Sequence, residues 1–133
     1  MRTLRWALTM PAAVASWYAA FAVGLMTHQW IESLVCPPDR MISGTCMSLS
    51  VNEWMARVVV FFVAVSAVAV VGVAAAVAPE EKKLVAWCAF GTGALVTVIC
   101  AVAADAYAEG VAALVAGLAT AMFVNRGRER SPR

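Results

Sequence analysis

Long apolar runs separated by short polar segments dominate the pattern of this chain. Each of the runs that begin at Trp6, Val58 and Leu84 spans about 20 residues, the length that a helix needs to cross a hydrocarbon core of about 30 Å. A fourth run, from Gly110 to Val124, is shorter and needs residues of "DAYAE" to reach that length. Since lipid offers the backbone no hydrogen-bond partners, we expect each run to be a helix. The predicted helices cover residues 6–29, 51–78, 84–104 and 108–125, with a loop at 30–50 and a tail at 126–133.

Composition assigns the same class. Hydrophobic residues make up 63% of the 133 residues and charged residues only 14%, which is typical of a membrane protein. The sequence therefore predicts an all-α integral membrane protein, a bundle of four transmembrane helices in a single domain, residues 1–133. A cleaved secretory signal is the alternative for the N-terminus, but the apolar stretch before its A-x-A site is too short, and an uncleaved first helix is preferred.

The distribution of cations predicts which side of the membrane each segment faces. Eight of the ten Lys and Arg residues lie at the chain ends or in the "PEEKK" turn, and only Arg40 and Arg57 lie elsewhere. Because cationic loops stay on the cytoplasmic side, both termini are expected inside a bacterial inner membrane, with the 30–50 loop outside. The predicted outer face also carries most of the acidic residues, namely Glu32, Asp39, Glu53, Asp105 and Glu109.

The start of the second helix has a recognisable pattern. "SVNE" at residues 50–53 reads as a capping box, in which Ser50 and Glu53 bind each other's backbone amides. Glu53 and Arg57 are spaced i, i+4 with the acid first, which favours an ion pair on the helix surface.

Rows of small residues predict contacts between helices, because small side chains let backbones approach closely in lipid. The rows, spaced by four residues, are Ala12, Ser16, Ala20 and Gly24 in the first helix, Ala89, Gly93, Thr97 and Ala101 in the third, and Ala113, Gly117 and Ala121 in the fourth. The polar side chains within the spans, such as Ser16 and Ser66, are expected to bond back to their own helices.

Two cysteines stand in the polar segment "CPPDRMISGTC". Cys36 and Cys46 lie on the predicted outer side, which is oxidising in bacteria, so we predict a structural disulfide that closes the loop. A redox-active pair is the alternative, although nine intervening residues differ from the usual C-x-x-C spacing. Cys88 and Cys100 lie about 18 Å apart along one helix and are expected to be free thiols.

Metal binding is a further alternative at the same face. Soft sulfur and imidazole ligands suit Cu(I), but the candidates have no compact repeated spacing, and a disulfide would remove two thiols. The weak candidates are Met26, His28, Cys36, Met41, Cys46 and Met47. His28 is the only histidine, and a proton-sensing role is open to it because histidine ordinarily changes charge between pH 5 and 8.

The outline of Trp30, Cys36 and Cys46 resembles the first outer loop of claudin-type tetraspan proteins, which also have four spans and inner termini. The Gly-Leu-Trp element of that family is missing, and the loop is too short for its outer sheet. We therefore attribute the resemblance to the shared physics of a stapled loop and not to kinship.

Enzyme chemistry, a bound cofactor and nucleic-acid binding are not indicated, because the chain lacks a set of bases, nucleophiles or ligands in one place. The sequence favours an accessory or interaction subunit of a larger membrane assembly, or an immunity-type binding protein, with lipid and other membrane proteins or further copies of itself as partners. A small transporter or an oligomeric, holin-like channel is the alternative, and a copper-binding or thiol-redox protein is less favoured.

Overall fold

Four long helices form most of the structure, a computed structural model that describes residues 2–42, 45–78 and 81–127. A single 3-10 turn at Pro38–Arg40 and a two-stranded antiparallel hairpin connect the first two helices. In the hairpin, Met41 lies opposite Cys46. The elements in chain order are α1 (Arg2–Val35), the 3-10 turn, β1 (Met41–Ile42), β2 (Thr45–Cys46), α2 (Leu49–Val77), α3 (Lys82–Ala103) and α4 (Tyr107–Gly127).

All four helices are long and apolar enough to cross a membrane, which confirms the prediction of a multi-pass helical protein. The small hairpin is an addition that the apolar pattern did not predict. Among the polar residues of the spans, Ser16 donates to the carbonyl of Ala13 and Ser66 to that of Val63, each at 2.8 Å, so both hydroxyls bond within their own helices as expected. The cationic tail beyond Gly127, with Arg128, Arg130 and Arg133, lies outside the described residues.

The helix next to the hairpin is longer than the apolar pattern indicated. α1 continues to Val35, six residues past the expected end at residue 29. Hydropathy marks the part of a helix that lipid can cover, but a helix can continue beyond lipid wherever its backbone bonds remain satisfied. Here the amide of Cys36 still donates to the carbonyl of Glu32 at 3.0 Å.

The predicted capping box at the start of α2 is wrong. Ser48 is the N-terminal capping residue, its carbonyl accepts from the amide of Asn52 at 3.0 Å, and no side-chain capping bond forms at this described end. The Ser48 hydroxyl instead lies 3.2 Å from that of Ser50. Because the helix begins at Leu49, Ser50 already lies within it and cannot cap it. Glu53 and Arg57 also form no ion pair within 4.0 Å in the described structure.

α2 is the central helix of the bundle, since it contacts α1, α3 and α4. α3 and α4 also pack against each other. On the side of α1, Gly24 faces Phe62, and a Cβ at Gly24 would lie 3.3 Å from the Cβ of Phe62. The absence of a side chain at Gly24 therefore allows close contact between α1 and the Phe62 side chain of α2.

The register of α2 and α4 indicates that the hairpin lies beyond the end of the bundle at which α4 begins. Gly117 lies beside Ala67, with its ideal Cβ 3.9 Å from that of Ala67, and one turn later Ala121 shares a buried cluster with Val71. The two helices run parallel, so the same offset along the sequence can be extended to their first turns. It places Tyr107, the first residue of α4, level with Arg57. The start of α2 at Leu49 therefore extends about 12 Å beyond the start of α4.

The two ends of the bundle are packed differently. At the end away from the hairpin, the far-end cluster joins α2, α3 and α4 through small side chains. Its members are Val71, Ala75, Ala86 and Ala121, with Phe90 and Val124 packed against them.

The three predicted rows of small residues differ in their exposure. Ala113, Gly117 and Ala121 are buried, the α1 row from Ala12 to Gly24 is half-buried, and in the α3 row Ala89, Thr97 and Ala101 are half-buried while Gly93 is exposed.

The reversal from α3 to α4 follows the Schellman pattern, with Asp105 in the left-handed region at φ 52°. The amide of Ala106 donates to the carbonyl of Ala101 at 3.0 Å, and that of Ala104 to Cys100 at 3.0 Å. This tight turn brings the first turn of α4 against α3. A Cβ added at Gly110 would lie only 2.8 Å from that of Ala101, so glycine is required there by packing.

We predict that Gly110→Ala destabilises the bundle by about 1–3 kcal/mol, because the new methyl group overlaps a side chain fixed on a neighbouring helix. Gly93→Ala is the matched control, since no atom lies within 4 Å of its ideal Cβ. That variant should be neutral or stabilised by up to about 1 kcal/mol through its higher helix propensity. Unfolding of the detergent-solubilised protein measures both, and equal stabilities of the two variants would contradict the close α3–α4 contact.

Candidate functional site at the hairpin end

A disulfide closes the hairpin between α1 and α2. Cys36 and Cys46 are bonded with an S–S distance of 2.04 Å, which confirms the predicted pairing. Both cysteines are buried, with 7% and 1% of their surfaces exposed. Cys88 and Cys100 on α3 are free and exposed at the surface of the bundle.

The disulfide is the centre of a small core, the hairpin cluster, formed by Cys36, Cys46, Val51 and Met55 with Ile31 packed against them. Val51 and Met55 are spaced i, i+4 on α2, so they form one face of that helix. Since α1 contributes Ile31, three elements meet at this point. The cluster therefore fixes the hairpin on the ends of α1 and α2.

A carboxylate on α1 makes a second connection to the hairpin. The backbone amide of Cys46 donates to Oε1 of Glu32 at 2.6 Å, across 14 residues of sequence. The other oxygen, Oε2, lies 3.6 Å from Nδ1 of His28, one turn earlier on α1. The Glu32 side chain is 13% exposed and that of His28 34%. Glu32 thus links α1 to β2 and also faces the only histidine of the chain.

The rim of this site is apolar. Leu49 is 83% exposed at the start of α2, and Ile42 and Met47 of the hairpin are exposed as well, as are Trp30 and Leu34 on α1. An open groove of about 550 Å³ lies beside them. Its lining residues are Pro37, Asp39, Arg40, Met47, Ser48, Leu49 and Ser50. Asp39 and Arg40 are 3.9 Å apart and both well exposed, so their mutual attraction is weak.

The structure separates the other charged residues that were predicted for this face. Glu53 and Arg57 are exposed on α2, while Asp105 and Glu109 lie at the α3–α4 turn, where the Tyr107 hydroxyl is 3.4 Å from Oδ1 of Asp105. Of the whole acidic group, Glu32 is the residue that reaches the hairpin. The sequence contained a partial signal for this role, because Glu32 lies four residues after His28 and four before Cys36, on one side of a helix.

The weak metal candidates are distributed over α1 and the hairpin segment. Met26 and Met47 are exposed, Met41 lies on the hairpin, and the thiols of Cys36 and Cys46 are used in the disulfide. Within residues 2–42, 45–78 and 81–127, no three His, Cys, Asp or Glu side chains are grouped as metal ligands would be. The chemistry present at the site is a buried disulfide held by a carboxylate.

We predict that Cys36→Ser/Cys46→Ser lowers the stability of the hairpin by about 3 kcal/mol, because the open chain regains the entropy that loop closure removes. Cys88→Ser/Cys100→Ser should leave the hairpin unchanged, since these free thiols lie on α3 and are not part of the hairpin cluster. Limited proteolysis within residues 37–45 compares the two variants. Cleavage at the same rate in both would contradict a stabilising disulfide.

Comparisons with known proteins show no relative of this chain: no family model, no curated protein and no solved structure matches it. The proposals that follow rest on the geometry of the hairpin end.

Proposed function

We propose that the protein is an accessory or interaction subunit of a larger membrane assembly in a bacterial inner membrane, and that the hairpin end is its partner-binding surface. The observation that supports this most is the position of a disulfide-closed, apolar-rimmed hairpin about 12 Å beyond the start of α4. An immunity protein that binds a membrane-active toxin belongs to the same binding class.

The exposed rim residues support contact with protein. The apolar run of α2 begins at Val58, nine residues after Leu49, so Leu49 lies about 13 Å beyond that run. Lipid tails do not cover side chains at that distance, whereas exposed apolar groups with a polar surround are typical of interaction surfaces. The disulfide and the hairpin cluster reduce the entropy that the hairpin loses on binding.

The proposal includes the orientation of the protein in the membrane. With eight of ten cations at the chain ends or in the 79–83 turn, the positive-inside rule places both termini in the cytoplasm and the hairpin on the periplasmic side. An oxidising compartment on that side accounts for the persistence of the Cys36–Cys46 bond.

We predict that green fluorescent protein fused after Arg133 fluoresces, since it folds in the cytoplasm, and that alkaline phosphatase inserted after Asp39 is active, since it needs the periplasm. The exchanged fusions should both be inactive. Activity of the phosphatase at the C-terminus would reverse the proposed orientation.

We predict that the protein purified from its own membranes in mild detergent migrates with stoichiometric partner chains. Cys36→Ser/Cys46→Ser should lose these chains, because the unlinked hairpin no longer presents an ordered surface, while Cys88→Ser/Cys100→Ser should retain them. Native mass spectrometry measures both variants. A homogeneous oligomer of this chain that conducts ions in liposomes would instead support the channel alternative and overturn the subunit proposal.

A further inference from the structure

Glu32 is a largely shielded carboxylate that connects α1 to the hairpin. It lies on the last turns of α1, is largely shielded from water, and spans the gap to β2 through a 2.6 Å hydrogen bond from the Cys46 amide. Hydrogen bonds to an ionised carboxylate are about twice as strong as those between neutral groups. The charge of Glu32 therefore strengthens the attachment of the hairpin to α1, in addition to the disulfide and the hairpin cluster.

His28 is placed to act on that charge. Its Nδ1 lies 3.6 Å from Oε2 of Glu32, which is beyond hydrogen-bond length, so the contact is mainly electrostatic. A protonated imidazole attracts the carboxylate at this distance, and a neutral one does not. The contact therefore depends on whether the imidazole carries a proton.

Within the part of the chain that the structure describes, no other side chain forms an ion pair with His28 or Glu32. On α2, Val51 and Met55 face the hairpin cluster, while Glu53 and Arg57 are exposed and make no ion pair within 4.0 Å among the described residues. On the 3-10 turn, Asp39 and Arg40 are exposed, and their charged groups lie 3.9 Å from each other. The hairpin itself offers a backbone amide to Glu32 and no ionisable side chain.

We propose that Glu32 is a clamp that holds the hairpin to α1, and that His28 makes the strength of this clamp depend on pH. The clamp is strongest where His28 is protonated and Glu32 is ionised. As the pH rises and His28 loses its proton, the attraction that orients the carboxylate disappears. As the pH falls far enough to protonate Glu32, the charge-assisted bond to the Cys46 amide is lost. Hairpin attachment thus depends on the charge of both side chains.

The Cys46 amide reports directly on this clamp. Its hydrogen-exchange protection, corrected for the intrinsic exchange rate, is measured by NMR on the full-length, disulfide-intact protein in detergent micelles between pH 4 and pH 8. In the unmodified protein we expect protection to fall about two- to fivefold towards the alkaline end of this range, the effect of losing one partly exposed ion pair. A decrease is also expected towards its acidic end.

Three variants distinguish the role of Glu32 from that of His28. Glu32→Gln should lower the protection of the Cys46 amide about tenfold at pH 6 and remove its pH dependence, since a neutral amide oxygen is the weaker acceptor. His28→Gln should keep the decrease at the acidic end and lose the decrease at the alkaline end. Glu53→Gln is the matched control, a carboxylate of the same end that does not touch the hairpin, and should reproduce the unmodified profile.

Resistance of Cys36 and Cys46 to alkylation without reductant shows that each variant retains the closed hairpin. With that bond intact, unchanged protection in Glu32→Gln would overturn the clamp, and an unchanged profile in His28→Gln would overturn its pH dependence. Neither readout requires a partner chain, so these results are independent of the proposed subunit function.

Discussion

The lack of water in the hydrocarbon core is the constraint on which the rest of the structure depends. A backbone that crosses the core must satisfy its own amides and carbonyls, and in this chain four helices do so. The same lack of water removes the hydrophobic effect as a force between helices, so contact depends on shape. Small residues supply that shape at Gly24 beside Phe62, at Gly110 beside Ala101, and in the far-end cluster.

Beyond the core, water is available again and different interactions hold the chain together. There the disulfide, the hairpin cluster and the bond from the Cys46 amide to Glu32 fix a segment with little regular structure. A covalent bond and a charge-assisted hydrogen bond replace the shape complementarity of the spans. The hairpin end thus depends on a disulfide within a small core, as small disulfide-bonded domains do.

The sequence was sufficient for the features that depend on local pattern. Apolar runs indicated four helices, and two cysteines in one polar segment indicated their bond. The sequence was misleading at the start of α2. There "SVNE" resembled a capping box, but the helix begins at Leu49. Val51 and Met55 of this first part of the helix pack in the hairpin cluster. The link between Glu32 and the Cys46 amide joins residues 14 apart, and no periodicity of side chains reveals which backbone amide a carboxylate will meet.

The short span of the disulfide has a consequence for the cooperativity of the protein. The bond joins residues separated by 10 positions, both at the hairpin, so it constrains none of the contacts made by α3 or α4. The contacts of α3 and α4 therefore depend on packing alone, while the hairpin and the adjoining ends of α1 and α2 have a covalent constraint in addition. No covalent bond links these two regions, so the disulfide does not require them to unfold together.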